Sequence, residues 1–345
     1  MHVVILYNRV AVHDSADDLD VLQQVVAVEQ SLLRRRHTVT RLSCDLRLDA
    51  VRCVLQKEQP DVVFNLVECL GGTDHLMPLA TLLLESLGVP FTGASTLALL
   101  RTSQKILAKQ QLLMSGLPTP AWITDLRSGW QGLRNPIVMP ERAIIKAVGE
   151  HSSLGITGAS VVRVSAAPAG KSSLQILAEM IDQRSIDLRT PHFAEEYIEG
   201  REFNLSVLAT LSGPEVLPPA EIEFRDYPED QPKIVGHDAK WNEQSVESQN
   251  TPRRFKFPSQ DRPLLDELQS LARRAWEVFG LRGYARVDFR VDVDGQPWIL
   301  EVNANPCLSP DAGFAAAVVE AGLAFDNVVD RIVNDSIRQL QQAHS

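Results

Sequence analysis

Gly283-Tyr-Ala-Arg-Val-Asp-Phe-Arg-Val-Asp-Val-Asp-Gly-Gln-Pro-Trp-Ile-Leu-Glu-Val-Asn303 is the stretch whose reading decides the fold. Polarity alternates along both halves, so each half reads as a strand with one buried face. Asp294-Gly295 between them is a strong hairpin signal, and a two-residue turn there sets Val293 opposite Gln296. Counting back, Asp288 faces Glu301 and Arg286 faces Asn303, all four on one side of the ladder. Val287, Phe289, Leu300 and Val302 are expected on the other side, against a core. Two opposed carboxylates with Cβ atoms roughly 5 Å apart repel unless a positive charge lies between them. A hard divalent cation suits that place: Mg²⁺ takes one or two carboxylates and fills its shell with water and phosphate oxygens, and Asn303 adds a carbonyl oxygen. The plainer alternative is a solvated strand face whose acids are neutralised by Arg286 and Arg290.

The 345 residues, 44% hydrophobic and 23% charged, suit two or three domains with substantial cores. A formal net charge of -10 argues against a nucleic-acid partner. No apolar run is long enough to span a bilayer, and the opening Met1-His-Val-Val-Ile-Leu-Tyr-Asn8 reads as a strand. The expectation is a cytoplasmic protein acting on small molecules, with a homodimer left open. Cys44, Cys53, Cys69 and Cys307 show no Cys-x-x-Cys spacing and read as reduced thiols, core or half-buried.

The first third alternates strand and helix, which predicts a parallel sheet with helices on its faces. Tyr7-Asn-Arg-Val-Ala11 after the first strand holds no glycine, which excludes a dinucleotide-binding turn. Ser95 is the expected N-cap of one long helix ending at Gly116, and Pro118 and Pro120 mark a boundary. A strand-rich α+β region follows. The polar stretch 225–258 reads as a mobile lid, an amphipathic helix over 263–279 leads into the hairpin, and another closes the chain. The fold class expected is α/β plus α+β.

Two further segments carry chemistry. Lys146-Ala-Val-Gly-Glu-His-Ser-Ser-Leu-Gly-Ile-Thr-Gly158 offers backbone N–H groups, Ser152 and Ser153 hydroxyls and the Lys146 charge to phosphate oxygens, although Gly-rich connections are often plain turns. Ala194-Glu-Glu-Tyr-Ile-Glu-Gly-Arg-Glu-Phe203 sets acids beside apolar Tyr197 and Ile198, a pattern able to hold adenine and ribose, or simply a solvated acidic edge.

The order of Ile145-Lys146, Ser152-Ser153-Leu154-Gly155, Glu195-Glu196-Tyr197-Ile198, Glu202-Phe203, Ala239-Lys240-Trp241, the Gly283–Asp288 strand and Leu300-Glu-Val-Asn-Ala-Asn-Pro306 resembles the ATP-grasp fold, specifically the D-alanine–D-alanine ligase group. Pro90-Phe-Thr-Gly93 and Lys105 extend the likeness over nearly the whole chain. The resemblance implies an N-terminal pre-ATP-grasp domain (1–95), a central subdomain (96–203) and a C-terminal subdomain (204–345) holding the lid 225–258 and the metal hairpin 283–303. It implies that Lys105 and Lys146 hold ATP phosphates, Glu195, Glu196, Tyr197 and Ile198 frame adenine, and Glu202 binds ribose. Asp288, Glu301 and Asn303 would ligate Mg²⁺, two ions in all, with Mn²⁺ as a substitute. Lys240, beside Trp241, would reach the γ-phosphate, Arg286 the acceptor carboxylate and oxyanion, and Ser152 the reacting carboxyl group. The implied reaction joins a carboxylate to an amine through an acyl phosphate. A ligase of other amino acids or small acids is the near alternative, and a non-catalytic nucleotide-binding protein the distant one.

The amino-acid half departs from the pattern. The family's Gly-Gly-Ser/Thr loop and ammonium-binding glutamate give way to the stretch 7–18, where Asp17 and Asp18 are the candidate acids. Leu-His-Gly becomes Leu66-Val67-Glu68, Cys307 stands for a glycine, and His151 replaces a loop glycine. Glu68, Asp17, Asp18, Trp241 and Cys307 are therefore the expected substrate determinants.

Overall fold

In the computed structural model the described residues are 1–10, 16–135, 138–149, 155–164, 172–228, 231–236, 245 and 249–343. The first three strands, β1 (His2–Asn8), β2 (Thr38–Cys44) and β3 (Val62–Leu66), form a parallel sheet in the order β2-β1-β3. Helices α1 (Ala16–Arg34), α2 (Leu48–Glu58) and α3 (Pro78–Leu87) make the crossovers. β3 is buried along its whole length, although it is the last strand of the sheet, because the segment 90–92 bonds its outer edge at Val63. The expected strand after α3 is reduced to a bridge between Val63 and Phe91.

One long helix was expected from Ser95; the chain instead forms α4 (Thr96–Ser103) and α5 (Lys105–Met114). Ser95 caps α4 by accepting from the Ala98 N–H. The break is at Gln104, where ψ is 99°, and the Lys105 N–H turns to the Val148 carbonyl at 2.9 Å. A tertiary hydrogen bond has overridden a helical stripe that is continuous in sequence.

β4 (Trp122–Ile123), β5 (Arg142–Ala147), β6 (Val161–Arg163) and β7 (His192–Glu196) make an antiparallel sheet in the order β4-β7-β5-β6, with α6 (Ser173–Asp187) packed on it through Leu177 and Ile181. The third sheet runs β11-β10-β8-β12-β13, from β8 (Gly200–Thr210), β10 (Ala220–Ile222), β11 (Arg253–Arg254), β12 (Tyr284–Asp292) and β13 (Pro297–Asn303), while β9 (Gly213–Val216) pairs with β8. α7 (Arg262–Phe279) covers its back. Leu268, Leu271, Ala272, Ala275, Trp276 and Phe279 recur at helical spacing on the buried face of α7, and Gly280 in the left-handed region ends it. α8 (Gly313–Glu320) and α9 (Phe325–Ala343) close the chain, α9 lying along α1. No described helix is long and apolar enough to cross a membrane. All four cysteines are free, and Cys53 is exposed where a core or half-buried place was expected.

The hairpin pairs Asp288 with Glu301 and Arg286 with Asn303, as the alternation demanded, by a different route. The turn holds three residues, Val293 to Gly295: the Asp292 N–H bonds the Gln296 carbonyl at 3.0 Å, and Gly295 has φ of 83°. That moves the ladder by one residue at the tip. A bulge between the Asp288 and Phe289 pairings leaves Leu300 as the extra residue and moves it back. The core face consequently carries Ile299 beside Val287, Phe289 and Val302, all fully buried, whereas Leu300 lines the cavity on the other side.

Candidate active site

One cavity of about 660 Å³ opens between the second and third sheets, against the ends of β3 and α1. Its walls include Lys105, Lys146, Glu195, Glu196, Tyr197, Ile198, Glu202, Arg286, Asp288, Glu301, Asn303, Glu68 and Cys307. These sequence-chosen residues, drawn from five separate segments, thus share a single space. Ser152, Ser153, Lys240, Trp241 and His151 lie outside the described residues, as do the side chains of Asp17 and Asp18.

At the nucleotide end, Ile144, Ile156, Ile198, Ile222, Ile234, Val235 and Leu300 supply apolar surface. Beneath it lies a buried ion triad. Glu195 Oε1 meets Lys146 Nζ and Glu195 Oε2 meets Lys109 Nζ, each at 2.6 Å, and Lys109 Nζ also donates to Thr119 Oγ1 at 2.9 Å. Burial opposes the Glu195 charge, but the two ammonium groups outweigh it and hold the carboxyl below its ordinary range. Burial outweighs Glu195 at Lys109 and lowers that pKa. Both directions describe one desolvated cluster whose excess positive charge faces the cavity at Lys146. Glu196 is pushed the other way, upward, mainly by burial.

Sequence reading did not find Lys109. It had a signal: the residue lies three positions before Leu112 on the apolar face of α5, where an ammonium group needs a partner.

The alternation of β12 puts Arg286, Asp288 and Arg290 on the cavity side, in register with Ser206, Asn204 and Glu202 of β8. Arg286 holds Asp288 through two bonds of 2.8 Å, Nε to Oδ1 and Nη2 to Oδ2, and Asn204 Nδ2 donates to Asp288 Oδ1 at 2.8 Å. Burial works against the Arg286 charge, but the Asp288 and Glu301 carboxylates prevail and raise its pKa. Arg290 pairs with Glu202 at 3.0 Å. It also donates to the Lys233 carbonyl, and the Tyr197 hydroxyl bonds both the N–H and the carbonyl of Lys233. The segment 231–236 is thereby fastened beside the apolar slot.

Among the described residues no cluster of three His, Cys, Asp or Glu side chains has metal-holding geometry. The set at hand is mixed: Asp288 and Glu301 on paired strands, with the Asn303 Oδ1 fixed by the Asn305 N–H at 3.0 Å. Few, hard oxygen donors beside a phosphate-sized space fit Mg²⁺, which keeps most of its shell for water and phosphate.

At the far end, Asp20 of α1 lines the cavity. Asp20 Oδ1 accepts from Ser309 Oγ at 2.7 Å and Oδ2 from the Cys307 thiol at 2.9 Å, while Gln24 Nε2 bonds Glu68 Oε1 at 2.9 Å. Burial, reinforced by Glu68 and Asp20, pushes the Cys307 thiol up and so favours the protonated form that donates to Asp20. Asp20 was not among the acids expected from the sequence. Its place beside Val21, Gln24 and Val25 on the inward face of α1 was the available clue.

Three sheets of this order, with an antiparallel pair of subdomains around a nucleotide-sized cavity, make an ATP-grasp fold. The crystal structure of D-alanine–D-alanine ligase from Bacillus anthracis complexed with ATP superposes with a TM-score of 0.71 at 18% identity over 99% of both chains. The family model described as D-ala D-ala ligase C-terminus matches residues 114–334. A D-alanine–D-alanine ligase of Moorella thermoacetica is 30% identical over 317 residues, covering 89% of this chain and 91% of the relative. That of Carboxydothermus hydrogenoformans is 28% identical, covering 89% and 90%. The chain belongs to the D-alanine–D-alanine ligase family.

Proposed function

We propose that this protein is an ATP-dependent carbon–nitrogen ligase that joins the carboxylate of one amino acid to the amine of a second. One observation carries the reading: lysines suited to phosphates, an apolar slot suited to adenine, an oxygen-rich pair suited to Mg²⁺ and the Arg286 guanidinium all face one cavity. The three separate sheets support the proposed division into 1–95, 96–203 and 204–345, while β8 crosses the second boundary.

Donor carboxylate attacks the γ-phosphate of ATP, giving ADP and an acyl phosphate; the acceptor amine then displaces inorganic phosphate and leaves an amide. Mg²⁺ held by Asp288, Glu301 and Asn303 would supply charge neutralisation between the phosphates. Lys105 and Lys146 orient the phosphate chain, and Glu202 takes ribose hydroxyls. Arg286, kept charged and aimed by Asp288, holds the acceptor carboxylate and stabilises negative charge on the reacting carbonyl. Lys240 and Ser152 are assigned by family resemblance to the γ-phosphate and the reacting carboxyl group.

D-Alanyl-D-alanine is the default product. The corner built from Asp20, Glu68 and Cys307 favours a second reading, in which the donor's ammonium is held by Asp20 and its side chain is selected by Glu68, so that the donor differs from D-alanine. A phosphate-release screen over D- and L-amino acids and hydroxy acids, with products identified by mass spectrometry, tests both. Nucleotide binding without substrate-dependent ADP release would instead mark a non-catalytic member of the fold.

A further inference from the structure

Arg253 differs from the other arginines around the cavity. Arg201 and Arg254 pair with Glu221, Arg286 with Asp288 and Arg290 with Glu202. Among the described residues Arg253 makes no such pair; its Nη1 donates to the backbone carbonyl of Asp311 at 3.2 Å. It enters the substrate end of the cavity from β11, near Arg286, Cys307, Asp311 and Gly313. Gly313 lies directly against the guanidinium: a Cβ there would stand 3.5 Å from the Arg253 Nε, in ordinary van der Waals contact. Arg253 keeps an exposed flank at the cavity mouth, yet its guanidinium is crowded: burial and the Arg286 charge both lower its pKa and prevail over the opposing effects of Asp311 and Cys307.

Two guanidinium groups that face one space repel, and a partly desolvated one without a carboxylate gains most from an incoming anion. The two arginines at this end face acids across the cavity, although Asp288 and Asp311 stand on their own side. Asp20 and Glu68 come from α1 and the end of β3, Arg253 and Arg286 from β11 and β12. The lysines that face phosphates, Lys105 and Lys146, belong to α5 and β5.

We propose that Arg253 is a specificity-determining residue and that the acceptor carries two anionic groups, its α-carboxylate on Arg286 and a side-chain carboxylate on Arg253. The acceptor class is thus an acidic amino acid. This rests on the ligase reading above and names the substrate that reading leaves open.

The test compares aspartate and glutamate with asparagine and glutamine, each as D and L forms, offering D- or L-alanine as donor and following ADP release. An acidic acceptor should exceed its amide in kcat/KM by roughly 10–100-fold, the worth of one charge-assisted pair. Arg253→Met should bring that ratio near unity through the acceptor KM, and Arg253→Lys should retain part of it. A thermal-shift titration with glutamate against glutamine, in the presence of Mg²⁺ and ADP, reads the same preference without turnover. Wild-type ratios within about twofold, or an Arg253→Met variant whose KM for ATP rises equally with every acceptor, overturn the proposal. The second result would assign Arg253 to the γ-phosphate. Absence of ATP-dependent turnover with every pair counts against alanine as the donor, the wider donor screen above decides the ligase reading, and the titration still decides the anion preference.

Discussion

Replacing Lys109 by methionine removes one of the two ammonium groups that hold Glu195 while keeping most of the side chain's volume. Each contact in the triad is 2.6 Å long. At an effective dielectric of about 20, unit charges at that separation attract by about 6 kcal/mol. Desolvation cancels several kcal/mol of this, and breaking a buried pair by deleting one partner costs about 3–5 kcal/mol. Glu195 keeps Lys146, so the expected loss is near the lower bound, about 3 kcal/mol, which at about 2 °C per kcal/mol for a chain of this size lowers Tm by about 6 °C. The bond to Thr119 and the Trp122 ring contact, 5.4 Å from Lys109 Nζ to the centroid, are lost as well. Nucleotide binding should weaken too, because Glu195 would then neutralise Lys146 alone. Adding Glu195→Gln to the variant removes the buried charge whose Oε2 has lost its partner and should recover part of the stability. Differential scanning calorimetry measures both proteins. A single variant melting within about 1 °C of wild type, or a double variant melting below the single, would refute this account of the triad.

Asp288→Asn or Glu301→Gln should lower turnover by about 10³-fold or more, and chelation of divalent cations should abolish it until Mg²⁺ is restored; retained activity in either variant removes the hairpin from the metal site. Tyr197→Phe keeps the ring and loses both hydroxyl bonds to Lys233, so trypsin should cut after Lys233 faster than in wild type, and unchanged cutting would show that the hydroxyl fastens nothing. Asp326, bonded to Arg34 at 2.7 Å across α1 and α9, has its pKa lowered from 3.8 to about 2, chiefly by that hydrogen bond. A depressed carboxyl pKa contributes stability above the unfolded value and loses it as pH falls through the folded value. Arg34→Met should therefore melt below wild type at pH 6, with the gap closing toward about pH 2; a gap that persists there places the effect elsewhere than in this ion pair.

Much of this molecule was legible because alternation along a strand directly reports which side chains share a face. The Asp288–Glu301 pairing needed little more than that, while the gathering of Lys146, Glu202 and Arg286 followed from the family resemblance. What stayed hidden depends on contacts distant in sequence. The break at Gln104 is invisible locally, since the Val148 carbonyl that receives the Lys105 N–H is 43 positions away, just past the end of β5. Asp20 and Arg253 look like ordinary surface charges until α1 and β11 are seen to border the same cavity. The hairpin register came out right at its functional end through two opposite errors, a turn one residue longer and an unforeseen bulge.

The bulge at Leu300 makes the hairpin modular. Val293 is 82% exposed at the tip, and four bonds to the Asp292 carboxylate, from Asp294, Gln296, Trp298 and Arg134, tie that tip down independently of the ladder below. A slip of one residue in an ordinary hairpin would exchange the two faces of a strand. Here the irregularity lies between tip and site, so the carboxylates are aligned by β8 and by the lower half of the ladder. A reporter peptide spliced in at Val293 would hang from an anchored loop while Asp288 still met Glu301, which makes this tip the place to attach a label without disturbing the chemistry beneath.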